Sequence, residues 1–340
     1  MKKFLCFLFL FIPLNVLALS SKSSIVMDMD SKRVLYEDNS HEKRLIASTT
    51  KIMTAIIAIE KGNLSHEVKV GDEVLKMYGT SIYLEVNEKM KLIDLLYGLM
   101  LRSGNDASVV IAKEIAGSEK KFVELMNKKA KEIGMKDTVF NNPHGLDEVT
   151  KNYSTAYDMA LLSSYAYKNK VYRKIINTYK YRAKTLNKSY LWYNRNKLLK
   201  NYSYCTGGKN GYTPKAGKTL VTTHEKDNFK ITVVTLYDND EYNNHKYLAN
   251  KTFSLYKNYD LVLKSSFNTD NYYIKKDFYY SLTIDEKDNV KVLAKIDNKL
   301  KKGEVGNIEV SLGNKTLTTI PIYFQKKKEK STSFFKRLFS

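Results

Sequence analysis

Residues 47–56 read ASTTKIMTAI, which places Ser48 three positions before Lys51 at the head of an apolar run. On a helix, positions i and i+3 share a face, so the lysine amine can reach the serine hydroxyl from one turn away. Only a neutral amine can take the hydroxyl proton. The lysine must therefore titrate well below its ordinary value near ~10.4, and burial and a neighbouring cation both push it that way. A helix that starts with Ser48 as a partly exposed N-cap supplies the burial, because Ile52, Met53, Ile56, Ile57 and Ile59 put apolar residues nearly all round it. The chemistry implied is an activated serine nucleophile. The spacing alone is common, since Ser-x-x-Lys also occurs at Ser40, Ser118, Ser254 and Ser333. What sets Ser48 apart is its place at a buried helix start, after a strand hairpin.

Two further polar elements could complete a site. Ser103-Gly104-Asn105 interrupts two apolar helical stretches, residues 92–101 and 107–115, and can project a hydroxyl and an amide into a cleft. By itself this is also a plain interhelix turn, and Ser-x-Asn recurs at Ser266. The third element is GGKNGYT, residues 207–213, where a glycine-flanked Lys209 at a strand edge offers a fixed cation to a carboxylate and lets a substrate backbone approach closely. Lys209 would also serve as the second cation that lowers the pKa of Lys51. The five histidines lie far apart without ligand spacing, so neither a metal nor any other cofactor is expected.

These residues need elements to hold them. Residues 24–36 alternate as a strand, turn at Asp30-Ser31-Lys32 and alternate again, a hairpin signal. Helical spacing runs through residues 49–60, 120–133 and 154–177, whereas 220–223 and 230–237 are β-branched strands joined through residues 225–228. Strands at both ends of a helical block predict an α/β layer arrangement in which the two ends pair in one antiparallel sheet. From about residue 263 short alternating runs predict a small all-β domain ending at 324.

The ends bear on location. Lys2 and Lys3 precede an apolar run over residues 4–14, followed by small residues at 18–20, the layout of an export signal spanning 1–20. Only two cysteines exist, Cys6 and Cys205, so removal of that segment would leave one thiol and no internal disulfide. Residues 325–340 combine five lysines and Arg337 with Phe334, Phe335, Leu338 and Phe339 on one helical face, the pattern of an interfacial membrane anchor. The formal net charge of +21 predicts an anionic partner, and export turns that choice from nucleic acid to membrane lipid and wall polymer.

Taken jointly and in this order, Ser48-x-x-Lys51, Ser103-x-Asn105 and the Lys209-Asn210-Gly211 strand resemble the motifs of the penicillin-recognising serine enzymes. FNNPHGL at 140–146, STAYDMALL at 154–162, NRNKLL at 194–199 and GYTPKAGKTL at 211–220 narrow the resemblance to the D-alanyl-D-alanine carboxypeptidases, the low-molecular-mass penicillin-binding proteins. It spans roughly residues 24–240 and implies a β-lactamase/transpeptidase-like α/β domain at 21–262, with the small β domain of 263–324 as its accessory part. It further implies that Ser48 is the acylated nucleophile and Lys51 its base. Ser103 and Asn105 would relay protons and hold the substrate amide, and Lys209 and Arg195 would bind the terminal carboxylate. Asn210, Gly211, Tyr212 and Thr213 would line the substrate strand, with the backbone N–H groups of Ser48 and Tyr212 as the oxyanion hole. The implied partners are peptidoglycan stem peptides and acylating β-lactams. Asn210 departs from the family, which usually has Thr or Ser there, and this puts the strength of carboxylate binding in question. The resemblance leaves a β-lactamase and an inactive wall-binding relative as rivals. The first in its commonest form needs a deacylating glutamate that no segment here presents, and the second has only Asn210 in its favour.

Overall fold

A computed structural model describes residues 19–267, 269 and 271–325. Residues 1–18 of the expected export segment and the expected anchor tail from 326 lie outside the described residues. Strands β1 (Ser23–Asp28) and β2 (Val34–Asp38) form the opening hairpin. Helices α1 (Lys51–Lys61), α2 (Leu92–Tyr97), α3 (Asn105–Ala116), α4 (Glu119–Ile133), α5 (Ala156–Tyr167) and α6 (Lys170–Asn177) follow. Next come a two-stranded hairpin, β3 (Lys180–Lys184) with β4 (Ser189–Tyr193), and the long strands β5 (Cys205–Thr213), β6 (Gly217–Lys226) and β7 (Phe229–Asp238). Helix α7 (Glu241–Leu255) closes this part.

The main sheet has the order β2-β1-β7-β6-β5 with every pair antiparallel, so the first strand and the last lie side by side at its centre, as expected. All six residues of β1 are buried because both faces of the sheet are covered. The larger core joins Ile25, Met27, Val234 and Leu236 to helices α1 to α6, and a smaller one joins Val26, Ile231 and Val233 to Leu248, Ala249 and Phe253 of α7. Helix α1 sits in the middle of the first core with nine of its eleven residues buried, and it stops at Gly62. Caps fix the surrounding helices: the Ser118 and Thr155 hydroxyls accept from the Lys121 and Asp158 N–H groups at the starts of α4 and α5.

Strand β5 is one edge of this sheet. Its partner β6 sets it in register through pairs such as Lys209 with Val221 and Gly211 with Thr219.

The C-terminal part is all-β apart from single helical turns. It pairs β8 (Lys257–Val262) with β10 (Phe278–Leu282), and sets β9 (Tyr272–Ile274), β13 (Lys315–Phe324), β12 (Glu304–Leu312) and β11 (Val290–Ile296) in a four-stranded sheet. Its own core gathers Val262, Ile274, Val305, Ile308, Val310, Ile320 and Ile322. By pairing, residues 257–262 go with this sheet system. Arg33, between β1 and β2, ties it to the rest: Nη1 donates to the Ser281 carbonyl at 2.6 Å and Nη2 to Glu286 Oε1 at 2.5 Å. The guanidinium also lies 5.3 Å from the ring centres of both Tyr256 and Tyr280. Among the described residues no helix is long and apolar enough to cross a membrane.

Candidate active site

The chain enters α1 through a tight turn, Ala47–Thr50, rather than through the expected cap. Ser48 lies within this turn, half-buried, and no side chain caps either the turn or α1. The reason is geometric: a hydroxyl turned toward Lys51 cannot also accept from its own helix N-terminus. Ala47 precedes it at φ 46, a left-handed conformation unusual for a residue with a Cβ.

Lys51 is fully buried, as its position on α1 requires. Its Nζ has three neighbours: Ser48 Oγ at 3.0 Å, Asn105 Oδ1 at 2.7 Å and the carbonyl of His144 at 2.5 Å. Two of the three can only accept. A neutral amine has two N–H donors and one lone pair, so donating to the amide and carbonyl oxygens leaves the lone pair for the one neighbour that carries a proton, the Ser48 hydroxyl. Burial, then the charge of Lys209, pushes the Lys51 pKa far down; Arg195 adds to this and Asp106 opposes it.

Asn105 opens α3, and Ser103 ends the preceding turn at φ 66, a strained conformation that follows a single widened turn at residues 98–102. Asn105 Nδ2 donates to the Tyr78 carbonyl at 2.8 Å, and its backbone N–H to the Thr80 carbonyl at 2.8 Å. The neighbouring Asp106 carboxylate holds the loop above, accepting from Ser81 Oγ at 2.5 Å and from the N–H groups of Ile82 and Leu84 at 3.1 and 3.0 Å. The loop over residues 78–84 is thus fastened to the start of α3.

On β5, Lys209 is buried, and its ammonium donates to the Asn210 carbonyl at 2.6 Å. This is one bond for three protons, so two can still be donated. Burial, then Arg195, lowers its pKa to about 7. Arg195 reaches the same region: its N–H donates to the Leu101 carbonyl at 3.2 Å, and Nη1 to Thr80 Oγ1 at 3.3 Å. Gly211 brings the edge strand onto the Ala47–Thr50 turn, for a Cβ there would stand 2.8 Å from the Ser48 nitrogen and 3.1 Å from Ala47 Cβ. Tyr212, next along, is exposed, whereas Asn210 is half-buried. Thr213 faces elsewhere: its hydroxyl donates to Asp147 Oδ2 at 2.6 Å and accepts from the Ala216 N–H, which fastens the end of the strand. Cys205 is buried and engaged with Asn196 and the Gly207 carbonyl, and burial pushes its thiol up to about 11.

The structure therefore assembles Ser48, Lys51, Asn105, Lys209, Arg195 and Gly211 at one edge of the sheet. Residue types had not revealed the His144 carbonyl, because a backbone acceptor has no sequence signature, nor Asp106, whose signal was a carboxylate directly after Asn105 in an apolar stretch. Among the described residues no group of acidic, histidine and cysteine side chains could hold a metal ion.

A helix-covered antiparallel sheet with a serine–lysine pair at its edge is the fold of the penicillin-binding proteins. Penicillin binding protein 5 from Haemophilus influenzae superposes with a TM-score of 0.76 at 24% identity, over 91% of this chain and 98% of that one. The Streptomyces K15 DD-transpeptidase matches at 0.66 and 29% identity, over 70% of this chain and 99% of that one. The chain belongs to the D-alanyl-D-alanine carboxypeptidase family, whose profile matches residues 13–240. It is 40% identical over 224 residues to D-alanyl-D-alanine carboxypeptidase DacF of Bacillus subtilis, covering 64% of this chain and 57% of that protein. It is 34% identical over 250 residues to D-alanyl-D-alanine carboxypeptidase DacC of Escherichia coli, covering 68% and 62%. The matched segments thus span a little under two thirds of these relatives' own lengths.

Proposed function

We propose that this chain is a serine-type carboxypeptidase that removes the terminal D-alanine from peptidoglycan stem pentapeptides and is acylated by penicillin at Ser48. The observation that carries the reading is the arrangement on the base, a buried lysine with two pure acceptors and the Ser48 hydroxyl at 3.0 Å. In the acylation step Ser48 Oγ forms a bond to the penultimate D-alanine carbonyl carbon while its proton passes to Lys51. The carbonyl oxygen, now negative, is met by the N–H groups of Ser48 and Tyr212. Collapse breaks the C–N bond, and the leaving amine takes up the proton, with Ser103 as the relay. Water then attacks the ester, its proton passing to Lys51; collapse breaks the bond from the carbonyl carbon to Ser48 Oγ, which takes the proton back from Lys51, and the shortened peptide leaves as the acid. Asn105 holds the base and the substrate amide, Lys209 and Arg195 hold the terminal carboxylate, and Asn210 donates from its amide where a hydroxyl is usual. The anionic stem peptide and the positive chain suit action outside the cytoplasm, with residues 1–20 as the export signal and the basic tail from 325 resting on an anionic membrane surface.

The test is an intact-mass spectrum before and after benzylpenicillin, with Ser48→Ala alongside, and an assay of D-alanine release from a pentapeptide. A stoichiometric adduct that the substitution abolishes, together with D-alanine release, is expected. No adduct with penicillin consumed would assign a β-lactamase instead, and neither adduct nor turnover would leave an inactive relative.

A further inference from the structure

The acceptor that shares Lys51 with Asn105 is a backbone carbonyl, and a carbonyl goes where its turn is held. Two buried amides hold this one. Asn142 Oδ1 accepts from the His144 and Gly145 N–H groups at 3.2 and 2.6 Å, and its Nδ2 donates to the Leu146 carbonyl at 2.9 Å and Thr150 Oγ1 at 2.8 Å. Asn152 Oδ1 accepts from the N–H groups of Asn141 and Asn142 at 2.7 and 3.1 Å. Its Nδ2 donates to the Asn142 carbonyl at 2.9 Å and to Thr50 Oγ1 at 3.0 Å. Each amide uses both faces of its bonding capacity inside the protein. The turn is then joined to α1 and its lead-in three times over: at Thr50, at Lys51, and at Thr54, whose hydroxyl donates to the Pro143 carbonyl at 2.6 Å. Gly145 presses on the nucleophile's turn from the same side, where a Cβ would stand 1.9 Å from the Ala47 carbonyl oxygen.

We propose that Asn142 and Asn152 are positioning residues for the base: they clamp residues 142–146 against α1 so that the His144 carbonyl occupies one N–H of Lys51 and the amine's lone pair is left facing Ser48. The clamp rests on the assignment of Lys51 as the base in the proposed carboxypeptidase. It also keeps water from the amine, so loosening it raises the pH at which Lys51 loses its proton. The other charged groups that act on this amine, Lys209 on β5, Arg195 and Asp106 on α3, stay in place in the variants below. The His144 imidazole, on the turn itself, is held neutral by burial and then by Lys51, its pKa near 3, so it contributes no charge at neutral pH.

The experiment compares the full chain with Asn142→Ser and Thr50→Val. The second is close to isosteric and severs only the tie between Asn152 and the nucleophile's turn, so it decides the matter if Asn142→Ser does not fold. Lysine labelled at 15Nζ reports the titration of Lys51 by NMR with no substrate present, and benzylpenicillin acylation is followed across pH. Lys51 should titrate at higher pH in both variants. Acylation at neutral pH should fall about ten- to a hundred-fold in Asn142→Ser and less in Thr50→Val, and the deficit relative to wild type at the same pH should shrink as the pH is raised. Folded variants with an unchanged Lys51 titration overturn the proposal, as does slower acylation with an unchanged pH profile, which would reveal packing alone. A wild-type chain that penicillin fails to acylate would refute the carboxypeptidase reading, while the Lys51 titration would still decide about the clamp.

Discussion

Gly211→Ala tests whether the edge strand and the nucleophile's turn form one oxyanion site. The added Cβ would lie 2.6 Å from Thr219 Oγ1, 2.8 Å from the Ser48 nitrogen and 3.1 Å from Ala47 Cβ. Ordinary contact begins near 3.4 Å, so the strand and the turn must part by about 0.6 Å at the Ser48 nitrogen, the difference between 3.4 and 2.8. Thr219 cannot yield freely, since its hydroxyl donates to the Ile46 carbonyl at 3.1 Å. The two donors assigned to the oxyanion, on Ser48 and Tyr212, sit on opposite sides of that gap. Loss of one such donor costs on the order of a hundred- to a thousand-fold in rate, and a displacement of somewhat under 1 Å weakens rather than removes it. Acylation by benzylpenicillin should therefore slow about a hundred-fold. Overpacking should cost about 1–3 kcal/mol of stability. The assay is the second-order acylation constant by stopped-flow or quenched mass spectrometry, with thermal melting as the control for folding. A folded variant acylated within about threefold of wild type would refute the oxyanion assignment.

Three other outcomes follow from the same geometry. The acylation profile kcat/KM should be bell-shaped in pH, because Lys51 must be neutral while Lys209 must be charged to hold a carboxylate. With Lys209 lowered to about 7, the descending limb should begin near neutrality, and a profile that keeps rising to pH 9 would contradict its role. His245 is buried and neutral between Thr222 and Thr235, with its pKa lowered to about 3 by burial, and His224 beside it is also pushed well down, by burial and then by His245. A folded pKa below the unfolded one means that the unfolded chain gains the proton first, so stability falls as pH drops below ~6.5, by up to about 1.4 kcal/mol per pH unit for each histidine. Urea denaturation from pH 7 to 4 with His245→Gln should show a shallower slope, and an equal slope would count against the account. Arg33→Ala should remove the tie between the β1–β2 turn and the C-terminal strands, worth about 1–3 kcal/mol. Limited proteolysis should then cut residues 257–325 faster while acylation is unchanged, and an unaltered cleavage rate would dismiss the tie.

Much of this site could be read from residue types because its chemistry resides in side chains on strongly patterned elements. Lys51 stood out as a cation on a helix apolar all round, and the glycines flanking Lys209 as a place of close backbone approach, expected from a substrate, whereas Gly211 meets the turn of Ser48. The parts that escaped are carried by the main chain or by weaker patterns. The position of Ser48 within a tight turn depends on Ala47 at φ 46, which no propensity favours. Thr213, expected on the substrate, is held by Asp147, a contact across 66 residues that spacing cannot reveal. Helix α7 carries the right period in His245, Leu248, Ala249, Thr252 and Phe253, but two of its five buried positions are polar and its apolar stripe is faint. The β3–β4 hairpin went unread: Tyr190 and Trp192 turn inward, but the alternation is short and interleaved with lysines and an arginine.

The burial of α1 has a consequence for how this molecule loses activity. Amide groups exchange with solvent through openings whose free energies range from near zero at frayed ends to the full unfolding free energy in the core. A helix with nine of eleven residues buried belongs at the upper end of that range, and Ser48, the proposed nucleophile, is on the turn that leads directly into it. Such a nucleophile cannot be withdrawn by local fraying. Its reactivity should persist up to the cooperative transition and vanish with it, so the capacity to take up a penicillin label reports the folded fraction of the whole α/β part.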